Sequence, residues 1–348
     1  MKLTLAALPL VLLALLAALW SGLLRTGWAL PLPLAAANHG NFMVNGFLAS
    51  LIILERSVLF RGWWVRLLPA LSAASVPAFL CGAPLLAEGL LLASATGFLL
   101  LCAWFVYRHR ELHYYVFAAG AGCALCGQLV FLRTNSYAAA SGWWMAFLLL
   151  TIVAERLELT KFLPRPCGRQ ALLLTALALV LPALLLPAGG PYLLSLSLGV
   201  TALWLLRYDM ARHALRAGGS HRYSGWLLLT GYGWLLVASG LLLVQARLPI
   251  GYDAVLHSFF IGFVFSMIFA HAPVILPALL KRRLRVYHPL LYVPFGLLQL
   301  SLLLRICADV EGAPALRRWA GLGNGTAIVL FLFLVGLRTS AQLRSGKA

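Results

Sequence analysis

Two of the eight histidines in the chain open apolar runs of membrane-crossing length: His39 in NHGNFMVNGF and His257 in GYDAVLHSFFIGF. An imidazole at the mouth of such a run costs desolvation free energy unless a hydrogen-bond partner, water or a metal satisfies it. Groups able to hold the second ring nitrogen stand beside each, Asn38, Asn41 and Asn45 around His39 and Tyr252, Asp253 and Ser258 around His257. An adjacent pair of guanidiniums, Arg317 and Arg318, precedes the last apolar run and suits bidentate binding of a carboxylate. Toward the other ends of three runs lie Glu55, Glu155 and His271, as proton relays, metal ligands or partners in ion pairs such as Glu55–Arg56 and Glu155–Arg156.

The elements that must position these groups are membrane helices. Of the 348 residues, 62% are hydrophobic and 10% charged, and the mean hydropathy is +0.93, a balance foreign to soluble domains. Runs long enough to cross about 30 Å of hydrocarbon recur between short polar clusters. Twelve spans are expected: 3–24, 38–58, 65–82, 84–107, 112–132, 141–159, 170–187, 191–207, 224–245, 253–279, 288–307 and 320–337. The chain is thus read as an all-α integral membrane protein, a single transmembrane domain over 1–348.

Positive residues are retained on the cytoplasmic side. An N-terminus inside leaves only Arg25, Arg133, Arg247, Arg305, Arg317 and Arg318 outside, of 27 basic residues, so both termini are expected in the cytoplasm of a bacterial inner membrane. The net charge of +18 then reports topology and contact with anionic headgroups, and a nucleic-acid partner is not expected.

Three runs resemble one another: GFLASLIILERSV from 46, AFLLLTIVAERLE from 146 and GFVFSMIFAHAPV from 262, with Glu55, Glu155 and His271 at one relative position. They lie on spans 2, 6 and 10, which implies three pseudo-equivalent four-helix arcs, roughly 1–107, 108–208 and 209–348. Spans 2 and 10 then run in the same direction. At about 1.5 Å rise per residue, His39 and His257 sit at outer levels roughly 3 Å apart. Two such imidazoles are suited to be axial ligands of one haem iron, with Arg317 and Arg318 on the propionates.

HGNFMVNGFL opening span 2, DAVLHSFFIGFVFSM opening span 10 and the Arg-Arg pair before span 12 resemble subunit I of the haem-copper oxidase superfamily, most closely its NnrS-like branch associated with nitric oxide metabolism. The resemblance implies one non-covalent b-type haem held by His39 and His257 near the outer face, and work in electron transfer or small-gas handling, with a gas or a quinol as partner. The family's copper ligands on spans 6 and 7 have no histidine counterpart here. Its second span-10 histidine is also missing, positions 255 and 259 being Val and Phe. Terminal-oxidase activity is therefore not expected, while a haem oxidoreductase stays open.

Two other readings accompany this one. A secondary transporter of a small solute also has twelve helices and internal repeats, and a copper site could be built from His39, His257 and Met43. Cys123 and Cys126 form a CxxC inside a predicted helix, where small residues pack helix on helix. His109, His113, His213, His221 and His288 fall in or beside cationic segments and are expected to be solvated.

Overall fold

The computed structural model describes residues 7–58, 60, 62–160, 167–186, 189–280, 282 and 284–344. Residues 3–6 of the first expected span and 187 of the seventh lie outside them. The chain forms two compact units, Met1–Glu158 and Leu159–Ala348.

The first unit begins with α1 (Leu8–Arg25), whose Leu- and Ala-rich sequence favours helix and whose second residue is Pro9. Val11, Ala14, Leu15, Ala18 and Ser21 form its buried face, while Leu12, Leu13 and Leu16 stay exposed. Small residues inside and leucines outside suit a helix that meets protein on one side and lipid on the other. A short 3₁₀ turn, Pro33–Asn38, leads into α2, residues 39–57, which is π-helical over Asn41–Ala49 and α-helical over Ser50–Ser57. The unit continues with α3 (Leu68–Leu80), α4 (Pro84–His109), α5 (Leu112–Thr134) and α6 (Tyr137–Leu159). Left-handed residues Arg110 and Asn135 end α4 and α5 and turn the chain back at once. Helix α6 is the most enclosed, with Trp144 and Phe147 fully buried.

The second unit holds α7 (Gly168–Leu185), α8 (Gly190–Tyr208), α9 (Gly219–Val244), α10 (Gly251–Leu280), α11 (Tyr292–Glu311) and α12 (Pro314–Arg344). Helix α10 is α-helical over Gly251–His257, π-helical over Ser258–Phe265 and α-helical again over Ser266–Leu280. Ser195 of α8 and Ser239 of α9 each donate to the other's carbonyl at 2.8 Å, beside Gly199, a close approach that only small residues permit. Phe269 of α10 stacks on Phe331 of α12 with ring centroids 3.8 Å apart.

Among the described residues there is no strand, and nine helices are long and apolar enough to cross a membrane. The protein is an all-α, multi-pass membrane protein. Three expected spans fall outside the nine: α2 is diluted by His39, Asn41, Asn45, Glu55 and Arg56, α3 has 13 residues, and α8 is diluted by glycine, serine, threonine and Arg207.

Candidate functional site

His39 sits two residues before the π segment of α2. Its Nδ1 lies 2.9 Å from the carbonyl oxygen of Ala18 and 3.2 Å from Ser21 Oγ, both on α1. A carbonyl only accepts, so Nδ1 carries the proton and Nε2 the lone pair. Helix α1 can approach because of Gly22: a Cβ there would stand 3.0 Å from His39 Cε1. The three asparagines expected to orient the ring do other work. Asn45 donates to Asn41 at 2.8 Å, Asn41 to the Tyr137 hydroxyl at 3.4 Å, and that hydroxyl to Asn38 at 3.4 Å, forming a polar line along α2.

His257 closes the first α-helical stretch of α10, one residue before its π segment. Its Nδ1 donates to the Asp253 carbonyl at 2.9 Å and lies 3.3 Å from Asp253 Oδ2, which again leaves the lone pair on Nε2. Asp253, one of the expected neighbours, is the hub of a charged network. Its Oδ2 accepts from Arg305 Nη2 at 2.6 Å and from Arg317 Nη2 at 2.9 Å. Asp309 is fully buried, with Arg317 Nε at 2.9 Å and Arg305 Nε at 3.6 Å. Two carboxylates thus balance two guanidiniums across α10, α11 and α12.

The network bears on the reading of two residues. Arg305, placed in the outer segment by the charge count, is inside α11 and 5% exposed. Arg317, matched to a propionate by resemblance, holds Asp253 and Asp309 through Nη2 and Nε. Arg318, the next residue, is half-buried.

Around Glu55 and Glu155 the structure adds contacts from across the unit. Arg56 reaches across to α6, Nη2 at 3.0 Å from Glu155 and Nη1 at 3.1 Å from Glu158, and lies 4.4 Å from the Phe117 ring centroid. His271 belongs to the second unit, its Nδ1 donating to the Met267 carbonyl at 2.8 Å. Met43 is buried in α2. Among the described residues no three histidine, cysteine or acidic side chains are grouped to hold a metal ion.

Cys123 and Cys126 are free thiols on α5, and the side chain of Cys167 lies outside the described residues. His109, His213 and His221 are exposed as expected. His288 caps a short turn by accepting from Leu290 N at 3.2 Å. His113 departs from expectation: it is 6% exposed, packed on Tyr114 at 4.1 Å between ring centroids and 3.5 Å from Glu111.

Sequence reasoning missed Arg305 and Asp309, although their i, i+4 spacing in the apolar LLLRICADVE was a usable signal. It also missed the π segments. Their ends agree: the alignment that pairs Gly46-Phe47 with Gly262-Phe263 and Ser50 with Ser266 brings Asn41–Ala49 onto 257–265, so both stretches stop at the same position and the first starts one residue earlier. Both aligned glycines face close neighbours. A Cβ would stand 2.5 Å from Val76 Cγ2 at Gly46 and 2.5 Å from Trp234 Cγ at Gly262.

No curated protein and no solved structure matches the chain. A family model described as a domain of unknown function, DUF8744, matches residues 4–339. Since that match takes in nearly every residue from α1 to the end of α12, the chain belongs to the DUF8744 family.

Proposed function

We propose that this chain is a haem protein of the bacterial cytoplasmic membrane, crossing it twelve times with both termini inside. Its non-covalent b-type haem takes His39 and His257 as ligands, and its work is electron transfer or the handling of nitric oxide or another small gas. The resemblance of the two histidine segments to the oxidase superfamily motivates the reading.

One observation carries it on the structural side. Each histidine commits Nδ1–H to a main-chain carbonyl at 2.9 Å, His39 two residues and His257 one residue before a π-helical stretch. Donation of one ring nitrogen to a carbonyl is the way proteins present the other to a metal, and π-helical turns gather at functional sites. Each imidazole, taken singly, offers a nitrogen of the kind a haem iron takes. Arg317 and Arg318 are proposed for the propionates, Arg317 with its Nη1 donors, since Nε and Nη2 face Asp309 and Asp253. Haem, when bound, supplies one-electron chemistry and an iron able to bind a gas. The chain's own residues hold the ring nitrogens in one tautomer and enclose them in apolar helices.

The test is a reduced-minus-oxidised spectrum of detergent-purified protein with a pyridine haemochromogen assay. A b-type spectrum that is lost or converted to high-spin in His39→Ala and in His257→Ala is expected. Protein that neither carries haem nor takes up added haemin, or a spectrum indifferent to both substitutions, overturns the reading.

A further inference from the structure

Among the described residues Glu88 has no cation beside it. It stands one turn inside the start of α4, 9% exposed, and accepts a hydrogen bond from Gln128 Nε2 on α5. Among the described residues no lysine, arginine or histidine pairs with it. By contrast Glu155, Glu158, Asp253 and Asp309 each face a guanidinium. A second observation concerns Gln128 itself. It is 2% exposed, and its amide oxygen Oε1 is buried with no hydrogen-bond partner.

These two facts have one chemical solution. An ionised carboxylate is acceptor-only, so it leaves the orphaned amide oxygen unsatisfied and adds an uncompensated charge to an apolar helix. A protonated carboxyl has an O–H to give, and a primary amide complements it donor for acceptor. In such a ring the observed bond from Gln128 Nε2–H to Glu88 Oε2 is completed by a Glu88 hydroxyl donating to Gln128 Oε1.

We propose that Glu88 is a proton-binding site, its carboxyl holding a proton at neutral pH in an acid–amide ring with Gln128. Such an acid is the group able to release or regain a proton when charge is added to its surroundings. Glu88 therefore gives the first unit a buried proton donor and acceptor between α4 and α5. Haem binding is not required for this inference.

Infrared spectra of the purified full chain at neutral pH test it. The carbonyl stretch of a protonated carboxyl, shifting down in D2O, is expected in the wild type and lost in Glu88→Gln. It moves to higher frequency in Gln128→Leu, where the acceptor is gone. Glu88→Gln, the isostere of the neutral acid, is expected to keep the wild-type unfolding temperature. A wild-type-minus-Glu88→Gln difference showing carboxylate stretches and no protonated band overturns the proposal, as does a band that Gln128→Leu leaves in place. Should Glu88→Gln yield no folded protein, the Gln128→Leu shift alone decides.

Discussion

Helices α2 and α10 carry the same local device and secure it in opposite ways. Each places a histidine with Nδ1 on a main-chain carbonyl just before a π-helical stretch that contains a tightly packed glycine. Around His39 the contacts from α1 are neutral: a carbonyl and a serine, with Gly22 packed against the ring. Around His257 they are ionic, with Asp253 pinned by Arg305 and Arg317, and Asp309 buried behind them. Close packing of small residues tolerates modest repair, whereas a buried charge network fails as a whole when one member is removed. The two units should therefore differ in how they respond to substitution.

The largest difference is expected at the guanidiniums. Arg305→Leu strands Asp253 and the fully buried Asp309 with Arg317 alone; removal of one partner from a buried pair costs about 3–5 kcal/mol. Arg56→Leu in the first unit releases Glu155 and Glu158, whose side chains are 20% and 35% exposed and can draw water; a loss of about 1.5–3 kcal/mol is expected from its charged hydrogen bonds. Thermal unfolding in detergent reads both. Equal losses would break the contrast, and recovery of most of the loss in Arg305→Leu/Asp309→Leu would sharpen it.

How much of this was legible follows from what each feature depends on. Hydropathy and helix punctuation are local, so the expected spans 84–107 and 112–132 fall on α4 and α5, which Arg110 and Asn135 terminate. Polar partners are set by tertiary approach. His39 finds its acceptor 21 residues upstream on another helix, although three asparagines stand within six residues of it. Arg56 reaches Glu158, 102 residues away. Composition offered one honest hint of the second unit's network, an arginine and an aspartate four apart inside an apolar run. The charge count discounted it, because a tally of loop charges assumes that every arginine is in a loop.

A smaller difference is expected at the paired glycines. Gly262→Ala drives a Cβ into Trp234, whose indole is tied to Gln299 at 2.6 Å and cannot swing aside. Overpacking of that kind costs about 1–3 kcal/mol. Gly46→Ala meets a single methyl of Val76, which can change rotamer, so its cost belongs at the low end of that range. Unfolding midpoints of the two variants, measured side by side, give the order. A more damaging Gly46→Ala would mean that α2 is the stiffer of the two helices.

The smallest effect is expected at Ser21, and it separates packing from polarity as the means of holding His39. Ser21→Ala removes a hydroxyl 3.2 Å from Nδ1, but the Ala18 carbonyl at 2.9 Å stays and accepts the ring proton. The loss should not exceed about 1 kcal/mol, the usual net worth of one neutral hydrogen bond. Gly22→Ala removes no hydrogen bond and yet places a methyl 3.0 Å from Cε1, so the ring must tilt. Nitrogen-15 spectra of histidine-labelled protein should therefore keep the Nδ1–H tautomer of His39 in Ser21→Ala and shift or broaden that signal in Gly22→Ala. The reverse order would show that α1 orients the imidazole through its hydroxyl, making the two units alike in relying on polar contacts.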